Sequence, residues 1–144
     1  MKTARDVFEN FRDFALGGDG QELWAPDVVF EMPFAAGGPR RTQGRDDFLA
    51  KTKTSRETLP VRFEDLRNVV VHDTTDPNKI IVEYELVGTV LTTGKRESAL
   101  FIAVMEIRDG LVTLWREYQN TLAMAQALGR LPELDTDFMA RQPS

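Results

Sequence analysis

Glu117 is the residue best placed to do chemistry in this chain. It stands in Leu111–Gln119, which reads as a strand. Alternation there puts Trp115, Glu117 and Gln119 on one face and Leu114, Arg116 and Tyr118 on the other. A carboxyl group turned toward an apolar interior loses solvation when it ionises. Its pKa therefore rises toward the range useful for taking or giving a proton near neutral pH. Tyr84 carries a phenolic hydroxyl that can hold a carbonyl oxygen while Glu117 moves the proton. The alternative is a carboxylate satisfied by Arg116, Gln119 or a backbone amide, with no catalytic role. The turn ahead of the strand leaves its facing open, because a two-residue Asp109-Gly110 turn and a three-residue Arg108-Asp109-Gly110 turn with a bulge set opposite registers.

Lys51 and Ser55 are spaced i, i+4 on one helical segment, so both can look toward a pocket mouth, Lys51 as a cation for a carboxylate ligand. A solvated lysine and a packing serine are the other reading of this pair. His72, the single histidine, falls at a strand end beside Asp73, where exposure is expected, and it is not assigned to catalysis or to a metal. With one histidine and no cysteine, a transition-metal site would need mostly carboxylates. Neither a His-Glu-x-x-His motif nor a calcium loop occurs, so no metal is expected. Glycine patterns for nucleotide phosphates are absent as well, and no cofactor is implied. The net charge of −5 is spread over both signs, which argues against nucleic acid as a partner. No apolar run approaches the ~20 residues that span a bilayer, and the first residues lack the apolar core of a secretory signal. Cytoplasmic residence is the expectation.

These side chains must be carried by a definite set of elements. Apolar residues at Ala4, Val7, Phe8, Phe11, Phe14 and Ala15 form a helical stripe over Thr3–Leu16, and Thr3 with Asp6 makes a capping box. Gln21–Ala25 reads as a short helical turn, Asp27–Phe34 as a strand, and Ala35–Gln43 as a loop. A second helix runs from Arg45 to Glu57, with Phe48, Leu49, Thr52 and Ser55 on one face, and Pro60 closes it. Strands follow at Val61–His72, Lys79–Leu91, Lys95–Ile107 and Leu111–Gln119, separated by turn residues. Helices first and hairpin-linked strands later imply an α+β domain over residues 1–129, with 130–144 as a tail.

The stretches Asp27-Val-Val-Phe-Glu-Met-Pro33, Gly44-Arg-Asp46 and Asp109-Gly-Leu-Val-Thr-Leu-Trp-Arg-Glu-Tyr118 resemble the SnoaL-like branch of the nuclear transport factor 2-like superfamily. The resemblance covers roughly Thr3 to Leu128. It implies a cone-shaped α+β barrel, with N-terminal helices inside a strongly curved mixed or antiparallel sheet. It also places Glu117 inward, which selects the bulged turn. Ser55 ahead of Leu59-Pro60, Asp76-Pro77-Asn78 and Arg116–Asn120 resemble proteins that assist ring formation in phenazine biosynthesis, where an acidic residue matching Glu117 donates a proton. Their serine falls on Ser55 and their histidine on Lys51. A further similarity, to limonene-epoxide hydrolase, places its remaining site positions on Phe30, Met32, Tyr84 and Leu86. Three of these are apolar and none is a carboxylate, so the groups that position a hydrolytic water are missing.

The resulting expectation is one enclosed apolar pocket for a small aromatic or hydrophobic metabolite, lined by Phe30, Met32, Lys51, Ser55, Leu86, Phe101 and Trp115. Glu117 and Tyr84 would assist cyclisation, condensation or isomerisation without a cofactor. The competing functions are a non-catalytic carrier or a dimeric interaction module. The outer sheet face, carrying Leu114 and either Leu100/Ile102/Val104 or Phe101/Ala103/Met105, is apolar enough to predict a homodimer.

Overall fold

Thr3 starts the first helix, α1 (Ala4–Ala15), through the capping box its spacing predicts: the Asp6 amide donates to Oγ1 of Thr3 and the Thr3 amide to the Asp6 carboxylate. In the computed structural model, which describes residues 2–20 and 22–129, the apolar stripe of α1 is buried from Ala4 to Phe14, with Ala15 half-buried at its end. The expected tail at 130–144, and Gln21 at the head of the expected helical turn, lie outside the described residues.

The chain continues through β1 (Trp24–Met32), β2 (Arg40–Gln43), α2 (Arg45–Thr58), β3 (Val61–Asp73), β4 (Lys79–Val90), β5 (Arg96–Arg108), β6 (Leu111–Gln119) and α3 (Thr121–Ala127). The strands form one sheet in the order β2-β1-β6-β5-β4-β3, antiparallel at every junction except the parallel β1–β6 pair. Register shifts after Phe63 and after Arg67 each place an extra residue in β3, and such bulges bend and twist a strand. The sheet curls around α1 as the expected α+β cone. No helix among the described residues is long and apolar enough to cross a membrane.

Three local expectations are corrected. Trp24 and Ala25, read as part of a helical turn, open β1: both are buried, and Trp24 pairs with Val112 of the parallel neighbour. Tertiary pairing overrides a weak local preference there. The expected loop at 35–43 contains β2, a four-residue edge strand whose residues are largely exposed and so show no apolar alternation. The helix α3 was not anticipated, although Asn120 caps it by accepting from the Ala123 amide and Gly129 follows its end with φ +74°.

The core is an aromatic stack between α1 and the sheet. Phe11 lies 4.0 Å from Trp115, centroid to centroid, and also touches Phe8, Phe14, Trp24 and Tyr84. Arg56 of α2 locks the end of α1: its guanidinium donates to the carbonyls of Phe14 and Gly18 and lies 4.7 Å over the Phe14 ring. The Gly18 carbonyl lies beyond the helix end, and the Phe14 carbonyl shares Arg56 with the Gly17 amide, which donates to it at 3.1 Å. Arg56→Ala is expected to lower stability by about 2 kcal/mol, from two lost charge-assisted hydrogen bonds. Arg56→Lys should recover only part of this, since an ammonium cannot fork between both carbonyls. Urea melts of the two variants measure it.

Candidate functional site

Glu117 reaches the interior through the hairpin before it. Asp109 and Gly110 form a two-residue turn with φ +55° and +79°, pairing Arg108 with Leu111 and Ile107 with Val112. The expected three-residue turn is therefore not formed. Instead, the ladder slips one step later: Glu106 pairs with Leu114, Thr113 is the extra residue, and its hydroxyl donates to the Glu106 carbonyl at 3.2 Å. That slip turns the rest of the strand over. Glu117 then sits opposite Ala103 on the inner face, beside Trp115.

Two donors converge on a single oxygen of this carboxyl group. The Tyr84 hydroxyl donates to Oε1 at 3.1 Å and the Trp115 indole N–H to the same atom at 3.2 Å. The other oxygen, Oε2, makes no hydrogen bond to the described residues and remains open to solvent, since it is not among the enclosed unpaired atoms. Burial raises the pKa of Glu117 above the ordinary 4.5, against the smaller opposing effect of these two hydrogen bonds. Burial also pushes the Tyr84 hydroxyl well above its ordinary value, helped by the Glu117 charge and the hydrogen bond to it, so Tyr84 remains a donor. Its one proton is directed at Glu117, which makes Tyr84 an orienting group for the carboxyl.

Beside this pair opens a small apolar cleft with a cavity volume of about 60 Å³. Leu59 and Phe63, Leu86 of β4, Phe101 of β5, and Met124 and Leu128 at the C-terminal end of the chain's described part form its walls. Phe101 joins cleft and carboxyl, because its ring lies parallel to that of Tyr84 with centroids 5.2 Å apart. Gly88 also lines the cleft. A Cβ there would come within 2.8 Å of Cγ1 of Val61 and 2.9 Å of the Arg62 carbonyl, so only glycine lets β3 lie this close to β4.

The predicted site residues divide into three groups. Leu86 and Phe101 line the cleft; Tyr84 and Trp115 hold Glu117. Phe30 stacks on Phe48 at 4.7 Å, and it and Met32 stand on β1, outside the cleft walls. Lys51 and Ser55 are exposed on α2. Lys51 pairs with Asp47 at 3.1 Å and lies 3.4 Å from the Thr42 hydroxyl, so it is not a cation in the cleft. The cause is that α2 buries only Phe48, against β1, and turns these two side chains to solvent. His72 lies outside as expected, 2.6 Å from Glu83. Sequence reasoning missed the Trp115 N–H as a donor and the wall built by α3; the Asn120 cap and Gly129 were the available signal for the latter. Among the described residues, no three His, Cys, Asp or Glu side chains cluster closely enough for a metal.

Comparison with known proteins places these features in a family setting. The profile of the SnoaL-like domain matches residues 5–115. An uncharacterised PhzA/B-like protein of Pseudomonas aeruginosa is 33% identical over 131 residues, covering 88% of this chain and 91% of its own. A solved Bacillus subtilis structure named as a candidate isomerase is 29% identical with TM-score 0.78, covering 88% of this chain and 93% of that one. A Pseudomonas putida structure named as a candidate polyketide cyclase has TM-score 0.73 at 18% identity, covering 88% and 98%, a likeness of fold.

Proposed function

The chain belongs to the SnoaL-like domain family, and from that premise we propose that it binds a small apolar molecule in the cleft and moves a proton on it through Glu117. One observation carries this reading: the carboxyl group is half-buried on the inner sheet face, one oxygen is held by two fixed donors, and the other has no protein partner among the described residues. A carboxyl group fixed through one oxygen, with the other left unpaired by the protein, is placed to exchange a proton with a molecule beside it. In the ionised form, Oε2 takes a proton from carbon α to a carbonyl. The C–H bond breaks, an O–H bond forms on Oε2, and the electron pair passes into the enolate. Returning the proton to the same or a different carbon completes exchange or isomerisation. Isomerisation is also the reaction named for the Bacillus subtilis neighbour.

A non-catalytic carrier is the second reading. It is favoured by the walls of the cleft, which include Phe101 and Leu86 but not Glu117 itself. Exchange of α-protons distinguishes the two, using 2-tetralone in D₂O followed by proton NMR. An enzyme accelerates exchange above the buffer rate in proportion to bound ketone. Binding without acceleration rejects proton transfer and leaves the carrier.

The outer sheet face supports a homodimer as part of the same reading. Leu100, Ile102 and Val104 point outward while Phe101, Ala103 and Met105 point in, so the first of the two expected sets is the outer one. Leu100 is 60% exposed and Ile102 44%, and Phe34 and Leu122 are exposed as well. An open apolar sheet face of this kind is covered by a second copy in many proteins. Sedimentation velocity is expected to show a dimer for the natural chain and a monomer for Ile102→Asp. A monomeric natural chain at high concentration refutes the assignment.

A further inference from the structure

We infer, resting on the cleft reading above, that the ligand is an electrically neutral, apolar molecule led by a carbonyl or hydroxyl group, and that carboxylates are rejected. Among the described residues of the cleft wall only Glu97 and Ser98 have polar side chains, and none is cationic. The nearest arginines along β3 and β5 are already held. Arg62 pairs with Glu64 at 3.2 Å and Arg96 lies 3.9 Å from the same carboxylate. Lys51, the one cation the sequence offered for a carboxylate ligand, pairs with Asp47 instead. An anion entering the cleft would therefore lose its hydration, gain no counter-charge, and pass Glu97 on the wall toward Glu117 beyond Phe101 and Tyr84.

A cation fares little better. Among the described residues its acidic partner past the walls would be Glu117 in ionised form, and desolvation opposes that form. The apolar walls formed by Leu59, Phe63, Leu86 and Met124 supply no acceptor to replace the lost water. A neutral carbonyl or hydroxyl compound escapes both costs. Its apolar body covers the walls, and its leading oxygen or activated C–H is the one polar group that the free Oε2 can address. Charge, more than shape, is thus the filter on what enters the cleft.

Three near-isosteric probes test the filter by calorimetry near neutral pH: 2-acetylnaphthalene, 2-naphthoate and 2-naphthylmethylammonium. The ketone is expected to bind about tenfold or more tightly than either ion, a difference of about 1.4 kcal/mol. Glu97→Lys should strengthen naphthoate binding several-fold relative to the ketone. Equal or tighter binding of either ion to the natural chain overturns the inference, as does an unaltered naphthoate affinity relative to the ketone in Glu97→Lys. If none of the three binds, the cleft reading falls and this inference falls with it. A ketone preference without any α-proton exchange leaves the charge filter standing and removes only the proton-transfer step.

Discussion

Glu117→Gln lowers α-proton exchange of bound 2-tetralone by at least about 100-fold while ketone affinity stays within about threefold, because the amide keeps the size and polarity of the side chain but cannot take up the proton. The amide oxygen can still accept from Tyr84 and Trp115, so the surrounding hydrogen bonds survive the change. Loss of affinity in step with loss of exchange would instead identify Glu117 as a binding group. Unaltered exchange would remove it from the mechanism.

The pH profile supplies an independent check with a definite sign. Glu117 acts as a base only when ionised, so exchange rises with pH through its folded-state pKa, and the midpoint lies above the ordinary 4.5 because burial disfavours the charge. Stability moves the opposite way. With the folded pKa raised, the folded state holds this proton more tightly than the unfolded chain. The stability that Glu117 contributes is complete below 4.5 and is lost as pH rises through the folded value. Glu117→Gln lacks this titration, so its stability relative to the natural chain improves across that window. Urea midpoints taken at a series of pH values read the difference directly; a pH-independent gap between the two proteins rejects the assigned shift.

Phe11→Ala is the substitution with the largest expected effect on the fold, about 3–5 kcal/mol. Phe11 is buried and its ring meets five others, with Trp115 the nearest at 4.0 Å. Truncation leaves a cavity between α1 and β6 that the sheet cannot close, since its strands are fixed by their ladders. Domains of this size hold only about 5–15 kcal/mol in total, so the variant sits near the edge of folding at room temperature. Trp115 also loses the ring that packs its indole, and with it one of the two constraints on Glu117 Oε1. Phe11→Leu retains most of the apolar volume and should cost clearly less. Equilibrium unfolding of the three proteins in urea decides it: a Phe11→Ala cost under about 1 kcal/mol would mean that the aromatic stack is not the centre of the core.

The two variants separate site from scaffold. Glu117→Gln acts on exchange with little change in packing, whereas Phe11→Ala acts first on stability. Residual exchange by folded Phe11→Ala, compared at equal folded fraction, then reports how much the Trp115 contact matters to the carboxyl.

Much of this protein was legible in its sequence because the relevant signals are local. The stripe from Ala4 to Phe14 repeats with the helical period, Thr3 and Asp6 cap each other within one turn, and Asp109-Gly110 marks the presence of a hairpin though not the length of its turn. Such features depend on residues a few positions apart, so the chain declares them without its fold. The bounds of β6 and the α+β order of elements followed from the same kind of information.

What the tertiary structure decided was everything set by pairing between distant segments. Trp24 joins a strand because Val112 lies alongside it, and the polar edge strand β2 exists because Val29–Met32 offer it a ladder. The inward facing of Glu117 came from a one-residue slip at Thr113, where a turn of either length had looked acceptable. Lys51 and Ser55 left the site because α2 seats itself through Phe48, while residues of α3 entered it. A strand's period of two makes a single added residue reverse every side chain after it, and no local preference records where that residue is absorbed. Glu117 was therefore identifiable from sequence as a chemical group, and only the assembled sheet determined which oxygen it leaves free.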